Sequence, residues 1–320
     1  MDVEDIRIMI ITEDVKTVKI FGKNIPVRKT GCKNFLSDKP NCYRVPRVNL
    51  FIQTTNICNA NCPFCIYHNN ERQIFDVKKL EEVMREIVNP NYDIGKLNFT
   101  GGEPTLNSSL YSEISDVIRK NINYERKPEV TVNTNGYNLE VILKEQDILD
   151  CIGLSRHHYN DDKNYEIFKT YKVPSKEDIS QFAQNLSNKK ILQLRCNLIR
   201  GYVDDYLSLL NYMNHAIEMD IRDCGFVTLT PNNQYCKEHQ IDFANLIKIN
   251  DDIVRVNSWT RIDDETKNEY CQCANYVYSN EYGEMCKFYA RLFCRNDNRE
   301  GIIVYDGQNL RYGFGGEIIY

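Results

Sequence analysis

Val48-Asn-Leu-Phe-Ile-Gln53 runs toward Cys58-Asn-Ala-Asn-Cys62-Pro-Phe-Cys65, and the fold turns on these two neighbouring stretches. The first is a short apolar run of the kind that forms a buried strand. The second places three thiols within eight residues, with Asn59, Asn61 and Pro63 between them to bend the backbone. That spacing lets the sulfurs converge on one soft metal centre. Two centres satisfy it. Zinc would take a fourth ligand close by, and His68 stands three residues after Cys65. A [4Fe–4S] cluster would take the three Cys on three irons and keep its fourth iron open to a small molecule.

Outward from this loop, strand-like and helix-like segments alternate. Strands are predicted at 48–54, 96–100, 129–134, 148–154, 191–198 and 225–229, and helical segments at 76–89, 108–122, 138–146, 162–187 and 203–219. Asp76 caps the first helix. Six strands alternating with helices imply a parallel sheet with right-handed crossovers. Two more strand–helix units, as a closed eight-stranded barrel would need, are not visible. Residues 1–46 alternate in short runs (6–12 and 17–22) and read as a β-rich extension, with Cys32 and Cys42 as free thiols. A helical pattern at 237–255 gives way to a Cys-, Tyr- and Asn-rich tail, which places a boundary near residue 235.

The chain has 320 residues, 42% hydrophobic and 27% charged, an ordinary composition with a real core. No run of about eighteen apolar residues occurs, and the first five residues carry acids where a signal peptide carries bases. The expected location is the cytoplasm. A net charge of −5 argues against a broad nucleic-acid surface. Thirteen cysteines in a reducing compartment point to metal rather than disulfides.

The C-x3-C-x-aromatic-C loop resembles the signature of the radical S-adenosylmethionine (SAM) enzymes, and four further motifs follow in order. The resemblance implies an α/β fold, a partial (β/α)6 TIM-like barrel over 47–235, between the β-rich N-terminal extension 1–46 and a small C-terminal cluster-binding domain over 236–320. It implies Cys58, Cys62 and Cys65 as ligands of a [4Fe–4S] cluster whose open iron binds SAM, with Phe64 near the adenine. Reductive cleavage would give a 5′-deoxyadenosyl radical that abstracts hydrogen from the substrate. Thr100-Gly101-Gly102-Glu103-Pro104 matches the motif that binds the SAM amino group, which carries that role to Gly101, Gly102 and Glu103. Asn133-Thr134-Asn135-Gly136 stands where a supporting SAM contact is expected, assigned to Asn133, with a plain Asn-Gly turn as the alternative. Ser155 matches the position that meets the SAM ribose. Arg156, His157 and His158 depart from the family pattern and are expected to be catalytic, through anion binding and proton transfer near neutral pH, or else a solvated loop. Arg195 and Asn197 alternate onto one strand face, where the resemblance implies a contact with the SAM carboxylate, while Cys196 points into the core.

The tail holds Cys271-Gln-Cys273, Cys286 and Cys294 around a turn at 281–283. It resembles the twitch or SPASM-like half-motif that binds an auxiliary [4Fe–4S] cluster, although C-x-C stands where C-x2-C is common. A zinc hairpin is the alternative, and Cys224 and Cys236 are possible replacement ligands. Gly313-Phe-Gly-Gly does not lead from a strand into a helix and is no nucleotide fingerprint. The substrate is expected to be a peptide undergoing maturation, or a small molecule handled by a dehydrogenase or nucleotide cyclase. A flavodoxin- or ferredoxin-type donor would supply the low-potential electron. A non-enzymatic iron–sulfur carrier would have no use for Gly101-Gly102-Glu103.

Overall fold

A computed structural model describes residues 15–28, 33–34, 47–66, 73–88, 93–122, 128–241, 246–247, 251–260, 274–291 and 301–320. The expected strand at 6–12 and the residues Cys32, Cys42, His68, Cys271, Cys273 and Cys294 lie outside them. The chain begins with β1 (Val15–Ile20), β2 (Lys23–Arg28) and the two-residue β3 (Lys33–Asn34). Six strand–helix alternations follow: β4 (Arg47–Thr55), α1 (Val77–Ile87), β5 (Asp93–Gly101), α2 (Ser108–Asn121), β6 (Glu129–Thr134), α3 (Leu139–Lys144) and β7 (Cys151–Ser155). Then come α4 (Asp161–Phe168), α5 (Lys176–Asn185), β8 (Leu192–Leu198), α6 (Tyr206–Glu218), β9 (Asp223–Thr228) and α7 (Gln234–Glu238). The tail supplies β10 (Ile253–Thr260), β11 (Ala274–Ser279), β12 (Met285–Arg291), β13 (Ile302–Tyr305) and β14 (Leu310–Tyr312).

The helices start where short polar side chains can satisfy their first free N–H groups. Asp76, Asn107, Asn138, Asn160, Ser175, Asp205 and Asn233 each accept a bond from a backbone N–H of the helix that follows. Each such cap is worth about 1 kcal/mol. The expected helix 162–187 is two helices, because Lys169 takes a left-handed conformation (φ 53°) and Pro174 bars helical geometry just before the Ser175 cap. The expected helix 237–255 is corrected as well. α7 ends at Glu238, and Ile253 and Val254 alternate buried and exposed as part of β10.

β4 to β9 pair in sequence order, all parallel, as the alternation requires of an open (β/α)6 barrel. The tail extends this same sheet. β12 pairs parallel with β9, and β13 pairs parallel with β4. Among the described residues, the main sheet has twelve strands in the order β14-β13-β4-β5-β6-β7-β8-β9-β12-β11-β10-β3. The outer edges of β4 and β9 would otherwise present unpaired N–H and C=O groups, which the tail strands cover. The sheet therefore runs through the boundary expected near 235.

Alternation along the strands separates two environments. Val48, Leu50 and Ile52 of β4, Leu97 and Phe99 of β5, and Leu192, Leu194 and Cys196 of β8 are buried in one cluster with residues of α1, α2, α5 and α6. The intervening positions, on the opposite face, carry polar side chains such as Asn98, Asn133, Gln193 and Arg195. Among the described residues no helix is long and apolar enough to cross a membrane.

Candidate active site

The cysteine loop leaves the C-terminal end of β4, the end at which barrel enzymes collect their ligands. Its first residues are stitched to β5: the Gly102 N–H donates to the Thr55 carbonyl (2.7 Å) and the Glu103 N–H to the Ile57 carbonyl (2.9 Å). Only glycine fits this approach. A Cβ on Gly101 (φ +124°) would stand 2.3 Å from the Thr55 oxygen, and one on Gly102 would stand 2.0 Å from the Ile57 oxygen. Farther along, the Asn61 N–H bonds the Phe168 carbonyl (3.0 Å), Asn59 Nδ2 bonds the Lys172 carbonyl (2.8 Å) and Asn233 Nδ2 bonds the Pro63 carbonyl (2.9 Å). Three distant parts of the chain thus hold one loop.

Cys62 is buried, and Cys58 and Cys65 are half-buried. Burial raises the Cys58 thiol to about 11, with the Ala60 N–H pulling the other way and the Glu103 carboxylate adding to the rise. Burial also pushes Cys62 up, reinforced by the neighbouring Cys65 and Cys58 sulfurs. Three enclosed sulfurs this close would not ionise together without a cation to bind them, and metal ligation needs the thiolate. Two donors already face Cys58 Sγ: the Ala60 N–H at 3.4 Å and Asn135 Nδ2 at 3.5 Å. Among the described residues, no three His, Cys, Asp or Glu side chains gather around a point as one ion requires. A cluster takes its thiolates on separate irons, which the three cysteines of this loop can supply, whereas the fourth zinc ligand that the sequence offers, His68, lies outside the described residues.

Glu103, expected at the SAM amino group, is tightly held. Its carboxylate is 1% exposed and accepts from the Thr105 N–H (3.0 Å), Thr105 Oγ1 (2.6 Å), Thr134 Oγ1 (2.6 Å) and the Asn135 N–H (2.7 Å). Burial raises its pKa, and the four donors pull it back. The side chain braces the Asn133-Thr134-Asn135-Gly136 turn against the cysteine loop. Asn135, which the sequence did not single out, completes the connection by donating to Asn59 Oδ1 (2.8 Å) as well as to Cys58. Its position two residues past the inward-facing Asn133 was the available signal.

Arg156, His157 and His158 are also placed differently from expectation. Ser155 sits on the inner face of β7, so the next residue turns under the helices. Arg156 is fully buried, with Nη2 on Asp161 Oδ1 (2.5 Å) and on the Tyr159 carbonyl (3.0 Å). His157 accepts the Asn197 N–H at Nδ1 (3.1 Å), stacks on Phe168 (4.8 Å) and meets the edge of Phe64 (5.1 Å). Burial lowers its pKa to about 3. His158 accepts the Asn160 N–H (2.9 Å), and burial lowers its pKa too. A neutral, enclosed His157 packs against the aromatic Phe64 of the loop.

Arg195 lies across the inner face of the barrel. Its Nε donates to Gln193 Oε1 (3.0 Å), Nη1 donates to Asn133 Oδ1 and Nη2 reaches Cys151 Sγ (3.5 Å). Gly153 makes room for it, since a Cβ there would fall 2.4 Å from the guanidinium carbon. Asn197 and Ser155 remain on the inner face near the mouth, and among the described residues neither side chain has a hydrogen-bond partner. Cys286 lies on the buried face of β12, 0% exposed, with its sulfur 3.7 Å from Cys224 Sγ. That places it in the core.

A parallel barrel with three cysteines on the loop after its first strand has the layout of an enzyme that works at the strand C-termini. The radical SAM superfamily model matches residues 52–232, and the chain belongs to that superfamily. Membership implies a [4Fe–4S] cluster and SAM. An uncharacterised protein of Methanocaldococcus jannaschii is 25% identical over 77% of this chain and 87% of its own length. A GTP 3′,8-cyclase of Clostridium acetobutylicum is 26% identical over 69% of this chain and 68% of its own. Streptococcus suis SuiB bound to S-adenosylmethionine superposes with a TM-score of 0.49 and 18% identity, over 62% of this chain and 44% of SuiB. The chain thus spans less than half of SuiB.

Proposed function

We propose that this protein is a radical SAM enzyme in which Cys58, Cys62 and Cys65 hold the [4Fe–4S] cluster and that it acts on a small polar molecule. The observation that carries the reading is the loop itself: three enclosed thiols, two N–H donors aimed at Cys58, and a Gly101-Gly102 seam that tolerates no side chain. When bound, cluster and SAM supply one-electron hydrogen-abstraction chemistry at the barrel mouth. The chain's own residues position them. Phe64, Gly101, Gly102, Ser155 and Asn197 rim the mouth and are the proposed SAM contacts, with Glu103 and Asn135 holding the loop in place. A small-molecule substrate is favoured by the polar inner face of the barrel and by the likeness to a GTP cyclase over two thirds of both chains. A flavodoxin- or ferredoxin-type protein is the proposed reductant.

The test is formation of 5′-deoxyadenosine from SAM by the anaerobically reconstituted protein with dithionite. Wild type should form it, and Cys58→Ala should not. Undiminished formation by Cys58→Ala would contradict the ligand assignment.

A further inference from the structure

The strap that joins α4 to α5 lies against the cysteine loop. The Asn61 N–H bonds the Phe168 carbonyl at its start, and Asn59 Nδ2 bonds the Lys172 carbonyl near its end. Between these two ties Lys169 and Tyr171 are exposed, Tyr171 at 84%, and the Lys172 side chain is exposed as well. Val173, the next residue, is buried in one apolar cluster with Cys62 and Phe168. Pro174 then closes on Gly136 (φ +85°), where a Cβ would fall 2.7 Å from Pro174 Cγ. Gly136 follows Asn135, the donor to Cys58. The strap therefore meets Cys62 through Val173 and reaches Cys58 through the Asn135-Gly136 turn.

Beside it a groove of about 550 Å³ opens between α3 and α5. Tyr137, Leu139, Leu143, Val173, Pro174 and Phe182 give it an apolar lining. Its charged lining residues are Lys172, Glu140 and Asp178, and Asp178 is bonded to the Ser175 N–H and hydroxyl. Nearby cations are paired, Lys163 with Glu166 (2.8 Å) and Lys176 with Glu218 (2.5 Å). Among the described residues Lys169 and Lys172 take part in no ion pair. On a chain of net charge −5, two unpaired lysines around an exposed tyrosine give an acidic protein a local place to settle.

We propose that the strap and groove are the docking surface of a flavodoxin, an acidic carrier whose flavin edge enters the groove while its carboxylates meet Lys169 and Lys172. The proposal rests on the radical SAM reading and says where the reductant of that reading binds. An apolar slot suits the flat edge of a flavin ring. One electron leaves the reduced flavin and arrives at the centre held by Cys58, Cys62 and Cys65, with no bond made or broken. The barrel mouth is left to SAM and substrate. A small contact with a charged rim is the usual form of an electron-transfer encounter.

The test uses the reconstituted protein and a purified flavodoxin, titrated calorimetrically at low salt, with a ferredoxin as second probe. Wild type should bind the flavodoxin saturably, and more weakly as salt rises. Lys169→Gln/Lys172→Gln, which keeps the backbone ties, should weaken binding at least about tenfold. Lys19→Gln/Lys78→Gln, the same charge change at two other exposed lysines, should weaken it by less than about twofold. With the strap variant, 5′-deoxyadenosine formation should fall when flavodoxin supplies the electron and hold at the wild-type rate with dithionite, which needs no docking. The proposal is overturned if flavodoxin does not bind wild type or if only the ferredoxin binds. It is overturned equally if the strap variant binds as wild type does, if both lysine pairs weaken binding alike, or if the dithionite-driven rate falls with the flavodoxin-driven one. Failure of the radical SAM reading shows separately, as wild type that forms no 5′-deoxyadenosine with dithionite.

Discussion

Gly102→Ala probes the seam between the cysteine loop and the second barrel strand. The added methyl would lie 2.0 Å from the Ile57 carbonyl oxygen, 2.4 Å from its carbon and 3.0 Å from its nitrogen, all backbone atoms that no rotamer change can clear. Restoring even a 3.0 Å contact needs a displacement of about 1 Å at the root of the loop. That movement strains the Gly102 N–H bond to Thr55 and the Glu103 N–H bond to Ile57, each worth about 1 kcal/mol net. With overpacking of about 1–3 kcal/mol, the expected loss is about 2–5 kcal/mol, concentrated where Cys58 begins. Urea unfolding should show this loss, and iron retained after reconstitution should fall by half or more. Wild-type unfolding together with wild-type iron would refute the reasoning.

Asn135→Leu keeps the volume but removes the donors to Cys58 and Asn59; 5′-deoxyadenosine formation should slow about tenfold or more, the usual scale for a residue bonded to a metal ligand. An unchanged rate would reduce Asn135 to a turn residue. His157, neutral and buried with a pKa of about 3, cannot take up the proton that the unfolded chain's histidine takes below about 6.5. The unfolded state therefore binds more protons, and stability falls as pH drops: lowering pH from about 7.5 to 5.5 should cost about 1.4 kcal/mol through this group. His157→Gln should remove that part of the slope in unfolding curves at the two pH values, and an identical slope would contradict the assignment. Cys286→Ala empties a core position beside Cys224, so it should cost about 1 kcal/mol and leave iron content unchanged. Loss of iron would return Cys286 to a ligand set.

The six parallel strands could be read from the sequence because each is a short apolar run followed by a capped, 3.6-periodic helix, and both signals are local. The cysteine loop was readable for the same reason: its ligands sit on one turn. What escaped depends on neighbours far along the chain. Glu103 looks available until β6 brings Thr134 and Asn135 against it, more than thirty residues on. Arg195 faces inward as alternation requires, but the direction it leans is decided by Gly153 on the adjacent strand and by acceptors on its own strand and on β6. Arg156 and His157 were placed at the mouth by their position at a strand end, whereas the same period-two rule turns Arg156 outward. The pairing of β12 and β13 with the edges of β9 and β4 carries no local signature, because edge pairing is selected by what remains open once the barrel strands have formed.

Most direct is the EPR spectrum of the anaerobically reconstituted, reduced protein before and after addition of SAM, alongside iron analysis of the same sample. About four irons per chain and a signal that SAM perturbs are the result predicted by one cluster on Cys58, Cys62 and Cys65 with an iron open to SAM. About eight irons would show that a second cluster is bound as well. Zinc in place of iron, or an iron signal indifferent to SAM, would contradict the assignment.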